Sequence, residues 1–141
     1  MSDDSTSCSP FSLSLQDREA AAVPIKLLAH LGDAVFELFE RERQIMSASS
    51  AKKLHHKVVL RVNARSQAAI LATLLQQLNP SELDVVRRAR NLKITGNRKV
   101  DQSAYRHATA FEALIGFLYL TDKDRLRHIL ELTLAQAKQT Q

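Results

Sequence analysis

This sequence predicts an all-α fold, and three observations carry the prediction. Apolar residues recur at spacings of three and four along most of the chain, the period of a helix with one buried face. Only 3 Gly and 3 Pro occur in 141 residues, so little interrupts a helix. Strand-like alternation is missing. Val58, Val59 and Val62 would suit a strand, but their neighbours are basic and their flanks helical. With 45% hydrophobic residues and no Trp, the core must come mainly from Leu, Ile, Val and Ala, in one domain long enough to fold without staples.

Taken in order, residues 1–20 read as a flexible, Ser-rich segment containing Pro10, and residues 21–141 as the folded domain. Pro24 suits a first helical turn. From there Leu27, Leu28, Leu31, Val35, Leu38 and Phe39 trace one face as far as about Arg43. Gly32 interrupts that face and hints that another element packs closely there. The charged end, Glu37 to Arg43, reads as solvated. Residues 47–50 break the chain and supply N-cap residues. Two helices, 51–63 and 64–78, should follow, the second stopped by Asn79 and Pro80. Ser81 should cap a fourth helix that ends near Ala89, with Glu82 and Asp84 suiting its dipole. Residues 90–102 have Gly96 and Asn97 at their centre and no helical period, so they predict a loop. A long helix, 104–120, should start from Asp101 or Ser103. Thr121 and Asp122 should cap a last one, 123–138.

The charge is uneven. The net charge is +5 and the pI about 9.7, which suits an acidic partner. No acid lies between Glu42 and Glu82, while Arg43, Lys52, Lys53, His55, His56, Lys57, Arg61 and Arg65 fall in that gap. A second basic cluster is Arg87, Arg88, Arg90, Lys93, Arg98 and Lys99. Patches of one sign fit phosphate contacts better than a mixed solvated face does. Zinc-finger spacing and an aromatic-rich sheet are both missing, so a duplex backbone is the better match than splayed single strands. The single cysteine, Cys8, excludes an internal disulfide framework and a Cys-based zinc site. No apolar run is long enough for a membrane span, and the first residues fit neither a secretory signal nor a transit peptide, so a cytoplasmic protein is expected.

Two acids stand in apolar surroundings. Of the twelve residues 109–120, TAFEALIGFLYL, ten are apolar or Gly, and Glu112 sits in the first turn of that stretch. Asp33 follows Gly32 within LLAHLGDAVF. An unpaired buried carboxylate is costly or takes up a proton. Each acid could simply be satisfied in its own helix, Glu112 by the helix dipole. Together, beside phosphate-sized basic patches, they suggest shared coordination of a hard cation such as Mg2+ for phosphodiester hydrolysis. His30 and His107 lie near the two motifs and read as packing or supporting residues. No Ser/His/Asp ordering or Gly-rich phosphate loop occurs.

LGDAVFE (31–37) and FEALIGFLYL (111–120) together resemble the two signature helices of the ribonuclease III domain. KLHHKVVLRVNARSQA (53–68), RRARNLK (87–93), YRHATAFEALIG (105–116) and the short length resemble the Mini-III branch of that family, which has no double-stranded-RNA-binding domain. The resemblance covers about residues 22–138. It implies a two-fold dimer of helical ribonuclease III endonuclease-like domains that cuts both strands of duplex RNA with Mg2+, or with Mn2+ as substitute. Asp33 and Glu112 would be the catalytic metal ligands. Arg90, Lys93, Arg98 and Lys99, with His55 and Lys57, would grip RNA phosphates. Full-length members use four carboxylates per site. Here Ala29 and Thr109 stand at the other two places, as in the Mini-III branch. Glu37 is either a supporting residue or an ordinary helix ion-pair partner. The implied role is maturation of the 5′ and 3′ ends of the 23S ribosomal RNA precursor, with a ribosomal protein on the precursor as a further partner. Phe111, Ile115 and Phe117 are expected on the dimer face. A non-catalytic double-stranded-RNA-binding protein with the same fold is the alternative.

Overall fold

The computed structural model describes residues 10–93 and 102–139. Among the described residues the chain forms seven α-helices and no strand: α1 (Asp17–Ala21), α2 (Ile25–Gln44), α3 (Ala51–Val62), α4 (Ala64–Leu74), α5 (Pro80–Arg90), α6 (Gln102–Thr121) and α7 (Lys123–Gln139). Single 3-10 turns, Ile45–Ser47 and Leu75–Gln77, follow α2 and α4. No single described helix is long and apolar enough to cross a membrane. Residues 1–9, much of the expected 90–102 loop (94–101) and the last two residues lie outside the described residues.

Helix α6 is the hub, with α2, α4 and α5 packed around it. Its buried residues fall on nearly every side: Ala110, Phe111, Ala113, Leu114, Ile115, Phe117 and Leu118 are all fully buried or nearly so. Phe36 of α2 meets Phe111 edge to face, with ring centroids 4.9 Å apart, a contact worth about 1 kcal/mol beyond its area. Ile70, Leu71 and Leu74 of α4 and Ile129 of α7 close the other sides.

Two glycines set how closely α2 and α6 cross. A methyl group on Gly32 would run into the Glu112 carbonyl, and one on Gly116 into that of Leu28. Only Gly permits backbones to approach this far. The close neighbour that Gly32 hinted at is therefore α6.

The caps follow local chemistry. Ser50 accepts from the Lys53 N–H, and Asn63 from the Ser66 N–H. Asp122 accepts from the Arg125 N–H at 3.0 Å and starts α7. The start of α5 differs from the expectation. Asn79, not Ser81, is its cap: it and Glu82 form a reciprocal capping box, and Pro80 takes the first helical position. Helix α6 starts at Gln102, so Ser103 lies inside it, and Asp101 is outside the described residues.

Three further expectations are corrected. The flexible 1–20 segment ends too late. Helix α1 lies across its boundary, Ala20 is fully buried, and the Leu15 N–H donates to the Leu120 carbonyl at 2.6 Å. The charged end of α2 is not all solvated, because Glu40 is fully buried. Phe111, Ile115 and Phe117 are at most 2% exposed within one chain, so they are core and have no surface to offer a second copy.

Candidate active site

The crossing at Gly32 and Gly116 places Asp33 beside Glu112, and both line a cleft of about 530 Å³. The N-terminal arms of both helices line this cleft. Helix α2 contributes Lys26, Ala29, His30 and Asp33, and α6 contributes Tyr105, Arg106, Thr109 and Glu112. Both sets repeat at three and four, one helical face each. The end of α5 and the residues after it, Ala89, Leu92 and Lys93, form the third wall.

Asp33 is exposed to the cleft, while Glu112 is largely covered. Burial first, and then the charge and hydrogen-bonding reach of Asp33, push the Glu112 carboxyl up to about 8. Without a cation the Glu112 carboxyl thus keeps its proton beside Asp33 up to about that value. Glu112 lies ten residues into α6, too far from its start for the dipole to explain it. The donor set fits a hard divalent cation: two facing carboxylates, oxygen atoms only. Among the described residues no group of three or more His, Cys, Asp or Glu is arranged to hold a metal. Of the described residues, these two side chains could thus hold a cation, with water and substrate oxygens left to complete its shell. Ala29 and Thr109, the two departures from the four-acid pattern, both line the same cleft.

The basic residues divide. Lys93 lines the cleft, and Arg90, half-buried, is three residues before it on α5. Arg98 and Lys99 lie outside the described residues. His55 and Lys57 are on α3, away from the cleft walls; His55 is exposed, and the Lys57 ammonium donates to the Ser47 carbonyl at 3.3 Å. Arg87 and Arg88 are tied to Asp84 at 2.6 and 3.1 Å. Those guanidinium groups, Arg87 foremost, lower the Asp84 carboxyl below its usual range. Glu37 pairs with Arg41 at 2.9 Å on the surface, the ordinary ion pair of the two readings. The residues that sequence reasoning missed are Lys26, Tyr105 and Arg106. Stepping back seven residues from Asp33 and from Glu112 finds Lys26 and Tyr105, since seven residues return to the same helix face.

A helical domain with two acids meeting where two signature helices cross is the arrangement of a ribonuclease III domain, and residues 26–123 match that family, described as "Ribonuclease III domain". A Mini-ribonuclease 3 of Gloeobacter violaceus is 43% identical over 111 residues, covering 79% of this chain and 82% of that protein. A Mini-ribonuclease 3 of Synechocystis sp. is 42% identical over 123 residues, covering 84% and 85%. A crystal structure of a Fusobacterium nucleatum protein superimposes with a TM-score of 0.76 at 29% identity, over 87% of this chain and 99% of that one. The chain belongs to the Mini-ribonuclease 3 group of the ribonuclease III family, and it is an endoribonuclease.

Proposed function

We propose that this endoribonuclease is a Mg2+-dependent enzyme that cuts both strands of duplex RNA as a two-fold dimer, and that its substrate is the 23S ribosomal RNA precursor, trimmed at its 5′ and 3′ ends in the cytoplasm. The single observation that carries the metal chemistry is the Asp33–Glu112 pair, two acids that meet in an otherwise basic cleft with the Glu112 carboxyl pushed up to about 8. Mg2+ held by them, or Mn2+ in its place, would supply positive charge against the phosphate and make an attacking water easier to ionise. The chain's own residues do the remainder. Asp33 and Glu112 fix where the cation sits, because the glycine crossing holds their helices in register. Lys93 and Arg90, with Arg98 and Lys99 in the segment that follows, contact phosphates near the cut. His55 and Lys57 on α3 contact phosphates further along the duplex.

The dimer reading now rests on different residues. Leu27, Leu31, Ala34 and Leu38 recur along the outer face of α2, and Leu27 and Leu38 are 60% and 53% exposed. An exposed apolar stripe of this kind fits an interface between copies. It runs beside Asp33, so pairing there would bring two sites near one duplex. A ribosomal protein bound to the precursor would be a further partner.

The test is cleavage of a 23S precursor transcript by the purified protein with Mg2+ and with EDTA, followed by mapping of the ends. Cuts in both strands near the mature termini, with 5′-phosphates and only with metal, are expected. A mobility shift without metal-dependent cutting would overturn the proposal in favour of a binding role.

A further inference from the structure

We propose that Lys26 and Arg106 hold RNA phosphates on the two flanks of the Asp33–Glu112 pair, so that side-chain charge here does part of the neutralising that further carboxylate-bound metal would otherwise do. This rests on the reading of the cleft as a duplex-RNA site. Lys26 lies seven residues before Asp33 on α2, about 10 Å along the helix axis, and Arg106 six before Glu112 on α6, about 9 Å. One therefore stands on each arm of the wedge. Both are exposed and line the cleft.

Their place in the cleft, together with their lack of an ion-pair partner among the described residues, singles them out. Arg41, Arg43, Arg61, Arg87, Arg88, Arg125 and Arg127 are each within 4 Å of a carboxylate. Lys26 and Arg106 have no such partner among the described residues, although two carboxylates line the same cleft. With Lys93 they set three cations against Asp33 and Glu112. Acids at 29 and 109 would reverse that balance; Ala29 and Thr109 leave the cleft attractive to a phosphate before any metal arrives. Arg can fork onto two phosphate oxygens, whereas Lys acts as a point charge. Arg106→Lys should therefore recover less than full function, and Lys26→Arg most of it.

The test uses the full chain and a short duplex RNA, first in EDTA. Lys26→Ala and Arg106→Ala should each weaken binding about tenfold and lower the slope of log affinity against log salt by about 1. The surface control Arg127→Ala should change neither. With Mg2+, each cleft variant should raise KM about tenfold and leave kcat within about threefold, the pattern of an interaction made equally in ground and transition states. Binding in EDTA no weaker than that of Arg127→Ala, or a loss confined to kcat, would overturn the proposal. If the wild type never cuts yet the two variants still lose affinity and slope, the catalytic reading fails and the phosphate-holding role stands. Circular dichroism matching the wild type excludes misfolding, and recovery by Lys26→Arg excludes a purely structural effect.

Discussion

Helix α2 carries two acids that the fold treats in opposite ways. Glu40 is fully buried and answered in full: Arg43 donates at 2.6 Å, Gln44 at 2.9 Å and Arg61 at 3.1 Å. Arg61 also donates to the Thr133 carbonyl at 3.0 Å, so the cluster ties α2 and α3 to α7. Two turns earlier Asp33 meets a second acid, and neither has a cation within ion-pair range among the described residues. A buried acid with its own arginine is architecture, costly to dissect but chemically closed. A pair of acids that meet without a basic partner is open to a cation from outside. Glu82 repeats the first pattern, gripped through both oxygens by Arg125 at 2.9 Å.

Breaking the open pair should have the largest effect. Asp33→Asn and Glu112→Gln should each lower the single-turnover cleavage rate by about 1000-fold or more, since either removes one of the two carboxylates proposed to hold the cation. Duplex binding in EDTA should survive within a few-fold. Cleavage by either purified variant at the wild-type rate would remove that residue from the site.

The crossing that creates the pair comes next. Gly32→Ala and Gly116→Ala each place a methyl group against a backbone carbonyl, which no side-chain rotation can relieve. Each should cost about 2–4 kcal/mol in denaturant unfolding, by forcing α2 and α6 apart. Activity should fall further than the folded fraction does, because the same shift separates Asp33 from Glu112.

The closed cluster should respond in stability alone. Arg61→Ala leaves Glu40 buried with one arginine fewer and should cost about 2–4 kcal/mol. Replacing Glu40, Arg43 and Arg61 together by apolar residues of similar volume should cost much less, because no charge is then stranded. Cleavage per folded molecule should be unchanged in both.

How much of this could be read from the chain follows the same division. The helices were legible because apolar period and cap residues are local signals, and Gly32 pointed to a close neighbour because Gly in mid-helix needs a reason. Helix α1 was not legible, since five residues are too few to show a period. The meeting of Asp33 and Glu112 was suggested by two acids in apolar runs. Glu40 stood among charged neighbours and read as solvent-facing, because its partner Arg61 is 21 residues away and the carbonyl that orients Arg61 is on the last helix. Ion pairing also thinned the basic patches, across 21 residues for Arg61 but within one helical turn for Arg43, Arg87 and Arg88. Arg43, Arg61, Arg87 and Arg88 looked free for RNA but are spent on acids of the fold, whereas Lys26 and Arg106 stood outside the two basic clusters.

The smallest effect is also the one that separates the two kinds of acid by sign. Below the ordinary value of 4.5, Glu112 is protonated in both the folded and the unfolded chain and favours neither. Between 4.5 and about 8 the unfolded chain gives up this proton while the metal-free folded protein keeps it. The folded state then binds more protons, so stability falls as pH rises through that window. Glu112→Gln removes the titration. The metal-free variant should gain on the wild type as pH rises, by on the order of 1 kcal/mol at pH 8 once the partial exposure of the site is allowed for. Thermal melts in EDTA across that window measure the difference, and adding Mg2+ should close it by stabilising the wild type alone. Glu40→Gln should do the reverse and destabilise the protein, because it strips a carboxylate from two arginines that depend on it. A flat difference between wild type and Glu112→Gln would mean that folding does not raise the Glu112 carboxyl, and the contrast between the cleft acids and Glu40 would then be lost.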